Sequence, residues 1–461
     1  MKGMVKIMKK KILLIDPFYN NGALPPNYSL GEIERDLFNY FDISVSDFVR
    51  KEEYMALELF NRDEEQYIRG ICNEVMEKNP EYVYITTSYG IPIKQKPVIP
   101  RVIKIVNDIR KINFKGEIYI GGMAINVIFK EIKNITHNII EGAKIVVGDE
   151  CEFSKMICRR YNKKYDNCKI IKWENWNLDK YPNYLSFLTA KGCPSKCNFC
   201  MENKVYDGEY KRYDIDIVYE NILYFYNKGY RKFAIEDSSF MFNNDYVQFC
   251  QNIISDKLDI KWTCYAKTCQ IVNNKNVELL KKAGCSSVII GIETLDNMIL
   301  KKLQKGIIYD DTKKALDCLK KAGILVQGCF MLGLKDQTAD SIIANIEHAN
   351  SLDLYSYRWH IFQKNICELV SGDIEVGTKK YMQLQLNIPD ECLDEYIKEV
   401  QELPLYLNEE HFLVRCLGYV KNSDVFAKYS IANVTYKFLF DEMKKRVRNK
   451  VFDEEKMYEL I

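Results

Sequence analysis

A chain of 461 residues is too long for one typical domain, and its 47% hydrophobic content supplies core for two or three. A formal charge of +2, from 66 Lys and Arg against 64 Asp and Glu, excludes an electrostatic case for nucleic acid or an acidic membrane. No apolar run approaches the roughly 20 residues of a membrane span, and residues 12–15, behind the basic N-terminus, are too short a run for a signal peptide.

The N-terminal third alternates apolar strand-like runs with amphipathic stretches. Lys11-Ile12-Leu13-Leu14-Ile15 reads as a buried strand closed by Asp16-Pro17, and residues 81–86, 117–120 and 144–147 read as three more. Ile103, Val106 and Ile109 recur at helical spacing between them. Such alternation implies a doubly wound sheet, whose ligands sit beyond the strand C-terminal ends. Those ends lead into Thr86-Thr87-Ser88, Gly121-Gly122 and Gly148-Asp149-Glu150, small residues that let a ligand approach the backbone. Residues 161–184 read as a linker whose Trp173 and Trp176 suit interdomain packing.

From residue 185 to about 363 a unit repeats: amphipathic helix, glycine, apolar strand. Its junctions are Asn227-Lys228-Gly229, Lys281-Lys282-Ala283-Gly284 and Lys320-Lys321-Ala322-Gly323. Strands at 232–235, 287–292 and 325–332, apolar on both faces, fit a parallel sheet curled into a partial barrel, with chemistry at the strand C-terminal mouths. A further strand at 353–360 places Tyr355, Tyr357 and Trp359 on one face and Arg358 and His360 on the other. Beyond Ser371 the pattern changes to short helices rich in Glu, Tyr and Leu.

Cys193-Pro194-Ser195-Lys196-Cys197-Asn198-Phe199-Cys200 is the most informative stretch. Three thiols on one loop converge on a soft metal: zinc, copper(I) or an iron–sulfur cluster. A closed zinc site takes four ligands, and no fourth lies nearby at zinc-finger spacing, so a four-iron cluster with one iron open fits better. The other cysteines of the sixteen are mostly scattered singly and read as free thiols of a reducing cytoplasm, not a disulfide framework.

The loop resembles the signature of radical S-adenosylmethionine (SAM) enzymes, Phe199 before the last cysteine included. The ordered glycine set upstream resembles the cobalamin-binding domain of one large class of that family. The resemblance implies an N-terminal doubly wound, Rossmann-like cobalamin-binding-type domain (1–160), the linker (161–184), a radical SAM partial (β/α)6 barrel (185–370) and a small helical C-terminal domain (371–461). It implies a [4Fe–4S] cluster on Cys193, Cys197 and Cys200, with SAM on the open iron, cleaved reductively to a 5′-deoxyadenosyl radical. It further implies cobalamin beside Thr87, Ser88, Gly121, Gly122 and Gly148. No histidine stands in an Asp-x-His-x-x-Gly motif, so a protein imidazole under the cobalt is not expected, and Cys151 interrupts the usual Gly-Glu-x-Glu pattern.

Further assignments follow the same resemblance. Asp237, with Glu236 second, would meet the methionine ammonium, and Lys267, where the family often has Arg, the methionine carboxylate. Glu293, opening a segment that runs to Lys305-Gly306, would bind ribose hydroxyls or order the methionine moiety. Gly328, Met331 and Gly333 would flank adenine, although Lys335-Asp336 replaces the usual Pro-Gly. The implied activity is cobalamin-dependent C-methylation in natural-product or peptide modification, on a small-molecule or peptide substrate, methylcobalamin being the immediate donor, with electrons from a donor such as flavodoxin or ferredoxin. The alternative is a non-methylating rearrangement, ring formation or epimerisation, in which Cys264, Cys329 or Cys367 could donate hydrogen. Near-zero charge argues against a nucleic-acid-binding sensor. A cytoplasmic enzyme without nucleic-acid or membrane partners is expected.

Overall fold

The computed structural model describes residues 9–20, 25–49, 57–88, 98–126, 140–166, 169–181, 183–206, 208–242, 244–272, 276–332, 334, 345, 348–349, 352 and 354–361. They fall into two compact units, the first ending at Tyr181. The helical domain expected from residue 371, Cys367 and Gly333 lie outside the described residues.

The first unit is built on five parallel strands, β1 (Lys11–Asn20), β2 (Asp42–Val49), β3 (Tyr82–Thr86), β4 (Glu117–Gly121) and β5 (Lys144–Ile145), in the order β2-β1-β3-β4-β5. The doubly wound reading holds, and the structure adds two details to it. β1 does not close at Asp16-Pro17: it runs on to Asn20, its register with β2 shifting between Ile15 and Tyr19. Pairing with β3 ends at Ile15, so Pro17, which has no N–H, falls where β1 has lost one neighbour. β2 was not foreseen, because as an edge strand with polar residues between Ile43, Val45 and Phe48 it carries no continuous apolar run.

The helix Val98–Lys111 buries Val102, Ile105, Val106 and Ile109. Ile103 is only half-buried, one position off the stripe. The helix Tyr28–Leu37 starts at Asn27, whose Oδ1 accepts the Leu30 N–H at 3.3 Å. It buries charge as well as Leu30, Ile33 and Leu37: Arg35 Nη2 lies 2.8 Å from Asp36, and Glu34 Oε1 takes the Asn175 N–H (2.9 Å) and Nδ2 (2.6 Å). Trp173 and Trp176 pack inside this unit; a Cβ on Gly31 would come 2.8 Å from Trp173 Nε1.

The second unit holds β6 (Leu185–Phe187), a short antiparallel pair β7 (Ala190–Gly192) and β8 (Tyr210–Arg212), then β9 (Lys232–Ile235), β10 (Lys261–Ala266), β11 (Cys285–Glu293), β12 (Leu325–Leu332) and β13 (Ser356–Ile361). β6 and β9–β13 form one six-stranded parallel sheet in the order β13-β12-β11-β10-β9-β6. This is the expected partial (β/α)6 arrangement. Alternation sorts its side chains: Trp262 meets Phe240 and Phe249 edge-on at 5.4 and 5.8 Å, whereas Thr263 on the opposite face bonds the Ser287 hydroxyl at 3.0 Å. Cys264 shares the Trp262 face, fully buried. Among the described residues no helix is long and apolar enough to cross a membrane.

Candidate active site

β7 delivers the chain to Gly192 at φ +77°. A Cβ there would lie 2.0 Å from the Glu209 carbonyl oxygen across the hairpin, so only glycine makes this entry. Cys193, Cys197 and Cys200 follow as free thiols, Cys197 buried and the others half-buried. With Ser195, Asn203 and Gln304 they line a cavity of about 400 Å³. The loop is laced to the segment after β11: Asn198 N–H donates to the Leu303 carbonyl (3.2 Å) and its Nδ2 to that of Lys302 (2.8 Å). Asn203 Nδ2 donates to the Cys197 carbonyl (3.2 Å), and Lys267 Nζ to Ser195 Oγ (3.1 Å).

Among the described residues no three His, Cys, Asp or Glu side chains converge as one metal ion requires. A cubane cluster does not ask for that, since each thiolate binds its own iron. Burial pushes the Cys200 thiol up to about 11 and raises Cys197 too, while the Lys305 and Lys267 ammonium groups act in the opposite direction on Cys197.

At the mouth of β9, Asp237 is 2% exposed and spends its carboxylate on the turn before the loop. Its Oδ1 accepts the Thr189 (2.6 Å) and Ala190 (3.1 Å) N–H groups, and Oδ2 accepts the Thr189 hydroxyl. Burial still raises it to about 6. Glu236 stands 3.5 Å from Ser186 Oγ. Glu202, two residues past the last cysteine, accepts the Ser238 hydroxyl (2.5 Å) and the Gly192 N–H. After β10, Gln270 Oε1 takes the Lys267 N–H (2.8 Å) and the Ser239 hydroxyl (2.6 Å), which leaves its buried Nε2 without a partner among the described residues.

Glu293 ends β11 at φ +64°, its turn closed by the Thr294 N–H on the Ile292 carbonyl at 2.8 Å. A non-glycine residue is strained there, and the position is held from both sides. Asn345 Oδ1 accepts the Leu295 N–H at 2.7 Å, and Lys305 Nζ sits 2.6 Å from Glu293 Oε1. A Cβ on Gly291 would fall 2.4 Å from that carboxylate and 2.7 Å from Nζ, so the pair fills the space glycine leaves. Glu293 outweighs burial and raises the Lys305 pKa. Lys305 Nζ also lies 5.5 Å from the Phe199 ring centroid. Phe199 and Met331 pack on Ile299, Leu303 and Leu334. Gly328 pairs with Ile290, its Cα side crowded by Leu354 Cδ1.

In the first unit the ends of β3, β4 and β5 meet. Thr87 Oγ1 donates to the Gly121 carbonyl (2.7 Å), Ser88 Oγ bonds the Glu150 carboxylate and accepts the Met123 N–H (3.3 Å). Gly122 is at φ +104°, where a Cβ would meet Ser88 Oγ at 2.5 Å. Asn126 clamps Gly148 twice, Nδ2 to its carbonyl (2.7 Å) and Oδ1 from its N–H (2.9 Å). Thr87, Ser88, Gly121, Gly122 and Gly148 are thus gathered beyond the C-terminal ends of these strands.

A family model of the Radical SAM superfamily matches residues 187–349. The chain carries a radical SAM domain. An uncharacterized methyltransferase of Pyrococcus horikoshii is 28% identical over 195 residues, 41% of this chain and 42% of that protein. The anaerobic magnesium-protoporphyrin IX monomethyl ester cyclase of Rubrivivax gelatinosus is 25% identical over 203 residues, 42% of this chain and 35% of that one. The matched segment therefore spans less than half the length of either relative. The structure of the radical SAM methyltransferase TsrM from Kitasatospora setae, with cobalamin and a [4Fe–4S] cluster bound, superposes with a TM-score of 0.60 at 16% identity, over 84% of this chain and 78% of that one. At that identity the likeness is one of fold.

The superfamily's cofactors, a [4Fe–4S] cluster and SAM, fit the donor set of this radical SAM domain: three free soft thiols on one loop, with Lys267 beside it and Gln270 Nε2, which has no partner among the described residues. For a corrin, the first unit offers hydroxyl, amide and glycine backbone groups already locked in place, and its described residues include no histidine. Sequence reasoning missed Glu202, Asn126, Gln270 and Asn345, since none belongs to a spaced pattern. Only the position of Glu202, so close behind the last cysteine, could have flagged one of them.

Proposed function

We propose that the protein is a cobalamin-dependent radical SAM methyltransferase acting on a small molecule or peptide. The reading is carried by Cys193, Cys197 and Cys200, free and lining one cavity on a loop hydrogen-bonded to the segments that follow β10 and β11. Bound there, the cluster would supply the electron that cleaves SAM, and a corrin on the first unit would bring a methyl group on cobalt.

The chain's own part is to bind, orient and keep water out. The three thiolates hold the cluster. Lys267, its Nζ already at the loop, takes the SAM carboxylate, and Glu236 the ammonium, because Asp237 is committed to the Thr189–Ala190 turn. Glu293 faces the methionine or ribose part, Gly328 and Met331 flank adenine, and the apolar packing of Phe199, Met331, Ile299 and Leu303 excludes water. Thr87, Ser88, Gly121, Gly122 and Gly148 receive the corrin. A one-electron donor of flavodoxin or ferredoxin class supplies the reductant.

A second reading, ring formation or another radical outcome without methyl transfer, is favoured by the likeness to the Rubrivivax gelatinosus cyclase. Epimerisation gains nothing from Cys264, which shares the Trp262 side of β10, opposite the Thr263–Ser287 face.

The test is anaerobic reconstitution with iron, sulfide and hydroxocobalamin, then incubation with SAM and reductant. 5′-Deoxyadenosine with S-adenosylhomocysteine supports methyl transfer, and 5′-deoxyadenosine alone supports the second reading. Neither product, or undiminished product from Cys197→Ala, would sink both.

A further inference from the structure

The segment after β11 does more than close a turn. Leu303 and Lys302 present their carbonyls to Asn198 in the middle of the cysteine loop, at 3.2 and 2.8 Å. Lys305 follows two residues after this backbone tie. Its ammonium lies 5.5 Å from the ring of Phe199, the residue before Cys200, and its side chain is 9% exposed. Its counterion, Glu293, is 10% exposed and 2.6 Å away. The positive φ of Glu293 and the missing Cβ of Gly291 leave room for this pair. A buried ion pair is costly to assemble and is weak support for stability by itself. The functional reading above gives Glu293 a place beside SAM but leaves Lys305 without a role.

We propose that Lys305 tunes the reduction of the cluster carried by Cys193, Cys197 and Cys200, and that Glu293 attenuates this by partly cancelling its charge. The inference rests on the functional reading above. When the cluster is reduced, one electron arrives from an external low-potential donor, no bond forms or breaks, and the loop's charge becomes more negative by one. A buried cation beside the thiolates favours that state, and a buried anion beside the cation opposes it, little screened by water.

The experiment is a mediated redox titration of the anaerobically reconstituted full chain, dithionite as reductant, followed by electron paramagnetic resonance without SAM. Lys305→Met should shift the midpoint potential to more negative values, and Glu293→Gln to more positive ones. The double variant should fall between Lys305→Met and the parent, and Lys305→Arg should stay with the parent. Two single variants that shift in the same direction, or not at all, would overturn the proposal in favour of a merely structural pair. Glu293→Gln decides the question alone if Lys305→Met fails to fold, since an unmoved or more negative midpoint there contradicts it. A parent chain that binds no iron would remove the functional reading and this inference with it. A parent that binds the cluster while the variants keep its potential removes only this inference.

Discussion

Gly192 carries two requirements at one atom: a left-handed φ of +77° and no room for a Cβ, 2.0 Å from the Glu209 oxygen. Gly192→Ala is therefore expected to cost at least about 2 kcal/mol and to lower iron bound per chain, read by urea unfolding and iron analysis; full iron loading would contradict this. Glu34 is the other residue whose surroundings set its chemistry. Burial pushes it from an ordinary 4.5 up to about 7, against the Asn175 hydrogen bonds. Between those values the folded chain keeps a proton that the unfolded chain has lost, so stability falls as pH rises through the window and levels off above it. The loss is of order 3 kcal/mol, and Asp36, raised by burial to about 6, adds to it with the same sign. Unfolding midpoints at pH 5 and pH 7.5 should show the decline, and Glu34→Gln should flatten part of it.

The short elements that carry the loops matter more than their length implies. β7 is three residues long, yet the turn before it is gripped by Asp237 through three hydrogen bonds. Asp237→Asn keeps the shape but loses the charge and one of the two accepting oxygens. We expect a loss of about 1–3 kcal/mol and slower iron uptake with all three cysteines intact; unaltered stability and uptake would contradict this. The β5 end is held in the same manner by Asn126 on Gly148. Asn126→Ala should weaken hydroxocobalamin binding by about tenfold, roughly the worth of one good hydrogen bond, measured by titration of the corrin spectrum. The apolar runs of β3, β9 and β12 were readable because parallel strands bury both faces. β2 was not, being an edge, and β1 outran its proline because pairing with β2 resumes after the bulge.

At the scale of the molecule, two parallel sheets each gather their loops at one end, and each end is assigned its own cofactor. Hydrogen exchange tests this division. Hydroxocobalamin should protect amides at 86–88, 121–126 and 146–150, and cluster reconstitution those at 189–203 and 302–305. Corrin protection confined to the second unit would contradict the assignment. The sequence by itself determined the two sheet types, the cysteine loop and the glycine-marked strand ends, because hydrophobic period and ligand spacing are local properties. Only the tertiary structure decided that Asp237 serves a turn, that Glu293 answers Lys305, and that Glu202 and Asn126 are clamps. Each of those roles is a hydrogen bond or ion pair between residues far apart in the chain, and no local pattern encodes which buried polar group will find which partner.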